Sequence, residues 1–344
     1  MPLISDPEQV AAVYARAADC GLCLANFCTA NPYTTEAILR AAHEFGQQHG
    51  LKAVPIVVSA TANYPIEPQL VSYTPLKNAA LGLKALVDDV NLMVSPGSPY
   101  ADLQVMLHFD HGQPEADAGL FDQAAEYCAT IMYDASDWPM AENIEKTRRF
   151  VERMRGRTLV EGAVAEIAQA VEHADVPLTD PDDAERFYRE TGVFLIVPDL
   201  GTEHRATATA AHYDGERARA ITARIGKRIV LHGSSSLPDS DLPRLASDGI
   251  AKINVWTVFE RVGGQAVARY MLSELAHILP SDELRVLYDQ GLVGPQILES
   301  VEEGAAPRLD SLREEKRRDI WQAAVVARMR FFLEQYNYGR WSPD

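Results

Sequence analysis

Leu103-Gln104-Val105-Met106-Leu107-His108-Phe109-Asp110-His111-Gly112 opens as an apolar strand and closes on two histidines and an aspartate. The polar chemistry therefore sits where the strand runs out. Two further segments repeat the arrangement. Phe194-Leu195-Ile196-Val197 leads on to His204, and Ile229-Val230-Leu231 leads directly into His232. In folds built of parallel strands, active sites collect beyond the carboxyl ends, where side chains distant in sequence meet. Three neutral imidazoles around one open position form the ligand set of a catalytic zinc. Asp110, immediately before the first of them, stands where it can move a proton beside that metal.

Outward from this stretch, short apolar runs alternate with longer amphipathic ones. The strand candidates are Leu22–Phe27, Ala53–Ala60, Leu103–Phe109, Ala129–Tyr133, Thr158–Val164, Val193–Leu200, Arg228–Leu231 and Ala251–Trp256. Each is almost continuously apolar, as strands buried on both faces should be. Helical runs separate them at Thr35–His49, Pro75–Asp89, Phe121–Cys128, Ala141–Arg155, Pro181–Glu190, Asp214–Ile225 and Asp239–Ser247. Thr34 or Thr35 is a candidate cap, and Pro181 suits a first helical position. The alternation predicts an α/β fold, a (β/α)8 TIM barrel over residues 1–280. A doubly wound sheet is the other candidate, but no Gly-rich phosphate fingerprint follows the first strand. Residues 281–344 are expected to form a C-terminal helical arm, packing on the barrel or on a partner subunit. Within it, Ile320, Ala323, Ala324, Ala327, Met329 and Phe332 recur on helical spacing.

The 344 residues are 47% hydrophobic, enough for a large core. A formal net charge of −17 argues against nucleic acid, whose phosphates need basic patches. No window approaches the ~18 uninterrupted apolar residues of a membrane span. The N-terminus lacks the apolar core of a secretory signal, so a cytoplasmic location is expected. Cys20-Gly-Leu-Cys23 has redox-pair spacing, yet no second pair accompanies it; Cys20, Cys23, Cys28 and Cys128 read as reduced thiols.

His108-Phe109-Asp110-His111-Gly112 resembles the HxDHG box of the class II, zinc-dependent ketose-bisphosphate aldolases. Tyr133–Ile144 is similar to that family's DxSxxPxxEN segment, and Val160-Glu161-Gly162 to the start of its VE(A/G)ELG segment. Leu178–Pro181, Thr191–Val193, Gly201–His204, Leu231–Gly233 and Gly249–Thr257 follow in the family's order. The resemblance runs from about Leu22 to Arg308. It implies that His111, His204 and His232 bind Zn2+, or another divalent transition metal. It further implies Asp110 as the acid/base, with Glu172 as a second one on a flexible loop. Asp134, Glu161 and His108 become candidates for an alternative metal position or for orienting a ligand. Gly233, Ser235, Asn254 and Thr257 match the phosphate-holding loops, with Arg205 an added anion contact. The implied reaction makes or breaks a C–C bond of a phosphorylated ketose through a metal-stabilised enediolate, in a homodimer or homotetramer.

The chain also departs from the family. Ala163-Val164-Ala165 replaces the second metal-binding carboxylate segment. Arg205 stands where a glycine follows the second histidine, and no lysine follows nearby. Ser234 and Ser236 replace loop glycines, Cys28 falls at the asparagine of a first-strand FN pair, and Ala168-Gln169 replaces paired glycines. Intact metal and acid/base residues beside altered substrate loops suggest the same chemistry on a non-standard keto substrate. A non-catalytic aldolase-like partner subunit is the competing reading, against which all three histidines stand. An amidohydrolase would need an HxH pair on the first strand, and Leu22–Phe27 contains no histidine.

Overall fold

The computed structural model describes residues 3–165, 178–202 and 213–343. Its centre is a closed barrel of eight parallel strands in sequence order. They are β1 (Leu24–Cys28), β2 (Pro55–Thr61), β3 (Gln104–Gly112), β4 (Thr130–Tyr133), β5 (Leu159–Ala163), β6 (Leu195–Val197), β7 (Ile229–Leu231) and β8 (Ile250–Val255). Closure comes from β1 pairing with β8, with Asn26 opposite Asn254. Nearly every strand residue is buried, because one face meets the barrel interior and the other meets the helices. The (β/α)8 expectation holds, with each strand within a few residues of its sequence range.

Between the strands, helices such as Pro32–His49, Met140–Met154, Pro181–Thr191 and Gly215–Ile225 turn apolar faces onto the barrel. The cap of Pro32–His49 is Asn31, whose side chain accepts from the Thr34 N–H, rather than either threonine. Pro32 at the first helical position fits that start. The run expected to be helical at Asp239–Ser247 is a 3-10 turn over Asp239–Arg244, because Pro243 cannot donate an α-helical hydrogen bond. A helix ahead of β1, Pro7–Asp19, is capped by Asp6, whose carboxylate accepts from Glu8 and Gln9. No helix among the described residues is long and apolar enough to cross a membrane.

Internal contacts divide the chain into two compact units, Met1–Val258 with Met329–Asp344, and Phe259–Arg328. The boundary drawn at 280/281 from sequence lies inside the second. In the first unit, the C-terminal residues Phe332, Leu333, Tyr336, Tyr338 and Trp341 are buried. The Ala25 N–H of β1 donates to the Tyr338 hydroxyl at 2.8 Å, and Cys23 N–H donates to the Tyr336 carbonyl at 3.2 Å. The Trp341 indole N–H points to the Lys52 and Ala53 carbonyls at 3.2 and 3.1 Å. The second unit contains the helices Ser281–Asp289, Gln296–Glu302 and Leu309–Leu312. It is held internally by contacts such as the Arg308 N–H to the His277 carbonyl at 2.9 Å.

Candidate active site

Neighbouring residues on a strand point to opposite faces, so Asp110 and His111 would ordinarily be separated by the sheet. Here the β3–β4 register shifts between Phe109 and Gly112, and His111 adopts φ +45°. Such a conformation is costly for a residue with a Cβ, and it concentrates at functional sites. The irregularity brings both side chains to one place. Gly112 completes the turn, since a Cβ there would fall 2.8 Å from the Met132 carbonyl oxygen and 2.6 Å from the Phe121 ring.

His232, directly after β7, meets His111 across the barrel mouth. His111 Nε2 lies 3.1 Å from His232 Nδ1, and ligand atoms of Asp110, His111 and His232 all lie within 4.8 Å of one another. Two nitrogens of a tetrahedral zinc, each at about 2.05 Å from the metal, are about 3.3 Å apart. The donor spacing therefore suits a metal. His111 Nδ1 lies 2.7 Å from Asp134 Oδ2, and Asp134 Oδ1 accepts from Ser136 Oγ at 2.6 Å. This carboxylate–histidine pairing fixes the ring and turns Nε2 toward His232, the orientation that a metal-binding histidine would take. Tyr64 stacks on the same imidazole, with centroids 4.4 Å apart and planes 11° off parallel. The two histidines and their support fit a divalent transition metal.

Asp110 is buried and oriented through both oxygens. Oδ1 lies 3.3 Å from His108 Nε2 and accepts from Asn254 Nδ2 at 3.1 Å, while the Cys28 thiol lies 3.8 Å from Oδ2. Burial opposes its charge, but His111, His108 and His232 outweigh that and hold the carboxyl well below the usual range. Asp134 is likewise pushed up by burial and brought below its ordinary value by His111 and Ser136. Burial works against a charged His111 ring, and Asp110 and Asp134 overcome it, raising the ring's pKa. A metal at this ring competes with a proton.

Of the expected anion-binding residues, Gly233, Ser235, Asn254 and Thr257 follow β7 or lie at and beyond the end of β8, at the same barrel end. Gly233 takes a left-handed φ of +65°, which its lack of a Cβ permits. The Ser234 hydroxyl donates to the Asn254 carbonyl at 2.6 Å, and Ser235 Oγ accepts from the Val258 N–H at 3.3 Å. Thr257 begins the helix after β8. Glu161 is engaged inside the barrel by Lys252, with Nζ–O distances of 2.7 and 2.8 Å. His204, Arg205 and Glu172 lie outside the described residues.

A model of class II fructose-bisphosphate aldolases matches residues 8–317. The chain belongs to that family. Class II aldolases are carbon–carbon lyases, and the strand-end geometry above is where such chemistry would be placed in a barrel. Among solved structures, the chain is similar to the fructose-bisphosphate aldolase of Campylobacter jejuni, at 17% identity and a TM-score of 0.72. That match covers 96% of this chain and 94% of the other. It is also similar to the YdjI aldolase of Escherichia coli K12, at 19% identity and a TM-score of 0.63, with 94% of each chain covered. At these identities the likeness establishes the fold. Lys252, Tyr64 and Ser59, whose hydroxyl donates to the Cys28 sulfur at 3.1 Å, touch this aldolase site or its support and are not site candidates in the sequence. Cys28 is marked there only as a departure from the family. Of these, Lys252 had a usable signal, a lone charge inside an otherwise apolar strand.

Proposed function

We propose that this class II aldolase makes or breaks a carbon–carbon bond of a keto sugar or related keto substrate. His111, His232 and the motif residue His204 would hold a divalent transition metal, zinc foremost. When bound, such a metal supplies Lewis-acid polarisation of the substrate carbonyl. The observation that carries the reading is the convergence of Asp110, His111 and His232 at one barrel mouth, with Asp134 behind the first ring. Asp110 takes the proton from the hydroxyl on the departing aldehyde half in cleavage, and returns it to the aldehyde oxygen in condensation. Its low pKa keeps it ionised and ready to accept. Asn254 and His108 hold its carboxylate toward that hydroxyl without taking part themselves.

The loops after β7 and β8 bear on substrate choice. Ser234, in place of a loop glycine, commits its hydroxyl proton to the Asn254 carbonyl, whereas Ser235 accepts from the Val258 N–H and keeps its own proton to donate. An anionic group would therefore draw on Ser235, Thr257, Asn254 and the cationic Arg205 in an altered loop. This supports a substrate other than an ordinary ketose bisphosphate. The deciding experiment is cleavage of fructose 1,6-bisphosphate beside other ketose phosphates. Condensation of dihydroxyacetone or its phosphate with several aldehydes completes it, with wild type and Arg205→Ala. Chelator-sensitive aldol turnover on a member of either panel is expected. No turnover by metal-loaded protein on any of them would overturn the reading. Ordinary activity on fructose 1,6-bisphosphate, unchanged in Arg205→Ala, would show the altered loops to be neutral.

A further inference from the structure

Beneath the acid/base lies a charge pair that the proposed chemistry does not use. Lys252 of β8 and Glu161 of β5 are both fully buried. Their strands are not neighbours, so the pair spans the barrel interior. Barrel interiors are ordinarily filled by Val, Ile and Leu. Desolvating two charges is costly, and a well-packed apolar pair of similar volume is often as stable. Stability alone is therefore a weak reason for the pair. Its surroundings supply a better one.

Glu161 Oε2 lies 3.7 Å from His108 Nε2, and the same nitrogen lies 3.3 Å from Asp110 Oδ1. A ring nitrogen facing two carboxylates is placed as the donor of the contact, since a carboxylate oxygen accepts. On the ring's other side, Nδ1 lies 2.7 Å from Thr130 Oγ1 and 3.2 Å from the Thr130 carbonyl oxygen. The Thr130 hydroxyl can complement either state of Nδ1 and its carbonyl can only accept, but neither reaches Nε2, where the carboxylates take the ring's other N–H. Glu161 is in turn fixed through both oxygens by Lys252.

We propose that Lys252 and Glu161 are positioning residues, acting through His108. They hold its Nε2–H toward Asp110 Oδ1, which sets the direction of the acid/base carboxylate. The inference rests on the role of Asp110 in the proposed function. The chain of contacts runs Lys252, Glu161, His108, Asp110, and no member but the last needs to touch substrate.

The test is a Glu161→Gln/Lys252→Met double variant, which removes both charges at nearly constant volume and spares either from being left unpaired. We expect kcat to fall about ten- to a hundredfold with zinc content unchanged and KM within about twofold of wild type. In a His108→Leu background the double substitution should add no further loss, because the pair acts through that ring. Wild-type kcat in the double variant, or losses that multiply in the triple variant, would overturn the proposal. Should the double variant not fold, Glu161→Asp keeps the charge balance and draws the carboxylate back from His108. The same kcat-only loss is expected there, and unchanged kcat again overturns it. A second readout needs no turnover. In metal-free protein labelled with 15N-histidine, His108 should show a slowly exchanging proton on Nε2 whose exchange quickens in the double variant, where Asp110 alone still holds it. An unchanged ring signal contradicts the inference, whereas a protein inactive on every aldol substrate but showing that signal would sink the proposed function alone.

Discussion

Asp134 Oδ2 lies 2.7 Å from His111 Nδ1, and this contact determines which nitrogen of the ring faces His232. A carboxylate behind a metal-binding imidazole fixes its orientation and raises its basicity. Asp134→Ala should therefore weaken zinc binding by about ten- to a hundredfold while the barrel stays folded. Competition with a chromogenic chelator measures this. Because Asp110 and Asp134 raise the ring's pKa, affinity should fall as pH is lowered through that value and the proton displaces metal. Equal affinity in the variant would remove Asp134 from the metal's support.

Asp110→Asn keeps the shape of the side chain and removes its basicity. It should lower kcat by about 10²–10⁴, the usual worth of a positioned acid/base, and retain the metal. Steady-state kinetics with elemental analysis of the same sample checks both parts. Loss of zinc from the variant would instead make Asp110 a ligand.

The four thiols should separate by accessibility. Burial pushes Cys23 and Cys128 up to about 12 and Cys28 further still, whereas Cys20 is partly exposed. Only thiolates alkylate readily. Iodoacetamide at mildly alkaline pH should modify Cys20 first, with the other three reacting after unfolding. Peptide mass spectrometry showing Cys128 labelled as fast as Cys20 would contradict the packing around β4.

Tyr338→Phe tests how the C-terminal segment supports β1. It would leave the buried Ala25 N–H without its acceptor. Orphaning such a donor costs about 1–3 kcal/mol. Urea unfolding should show a loss in that range, and an unchanged midpoint would deny the contact its importance.

The barrel was legible because parallel strands buried on both faces leave apolar runs, and the loops between them carry ordinary helix signals. Phe109 to Gly112 was readable as chemistry, but the shift that turns Asp110 and His111 to one side is a backbone event without a sequence mark. Pro243 explains why one expected helix became a 3-10 turn. The Pro7–Asp19 helix carries a legible start, an Asp6 cap followed by Pro7, although it precedes the first strand and lies outside the strand–helix alternation. Glu161 reads from sequence as a candidate for an alternative metal position or for orienting a ligand. Its ion pair with Lys252 is not legible there, because that residue lies on a strand brought near only by barrel closure. Tyr64 lies in a loop, where spacing says nothing about which ring it covers.

The most direct test of a metal-dependent aldol site is turnover followed through metal removal and return. Protein purified without chelators should carry about one zinc per chain and catalyse aldol cleavage or condensation. Dialysis against chelator should abolish turnover with the circular dichroism spectrum unchanged, and added zinc should restore it. Turnover that survives complete removal of metal, or protein without a transition metal when prepared in its presence, would contradict the assignment of His111 and His232 as its ligands.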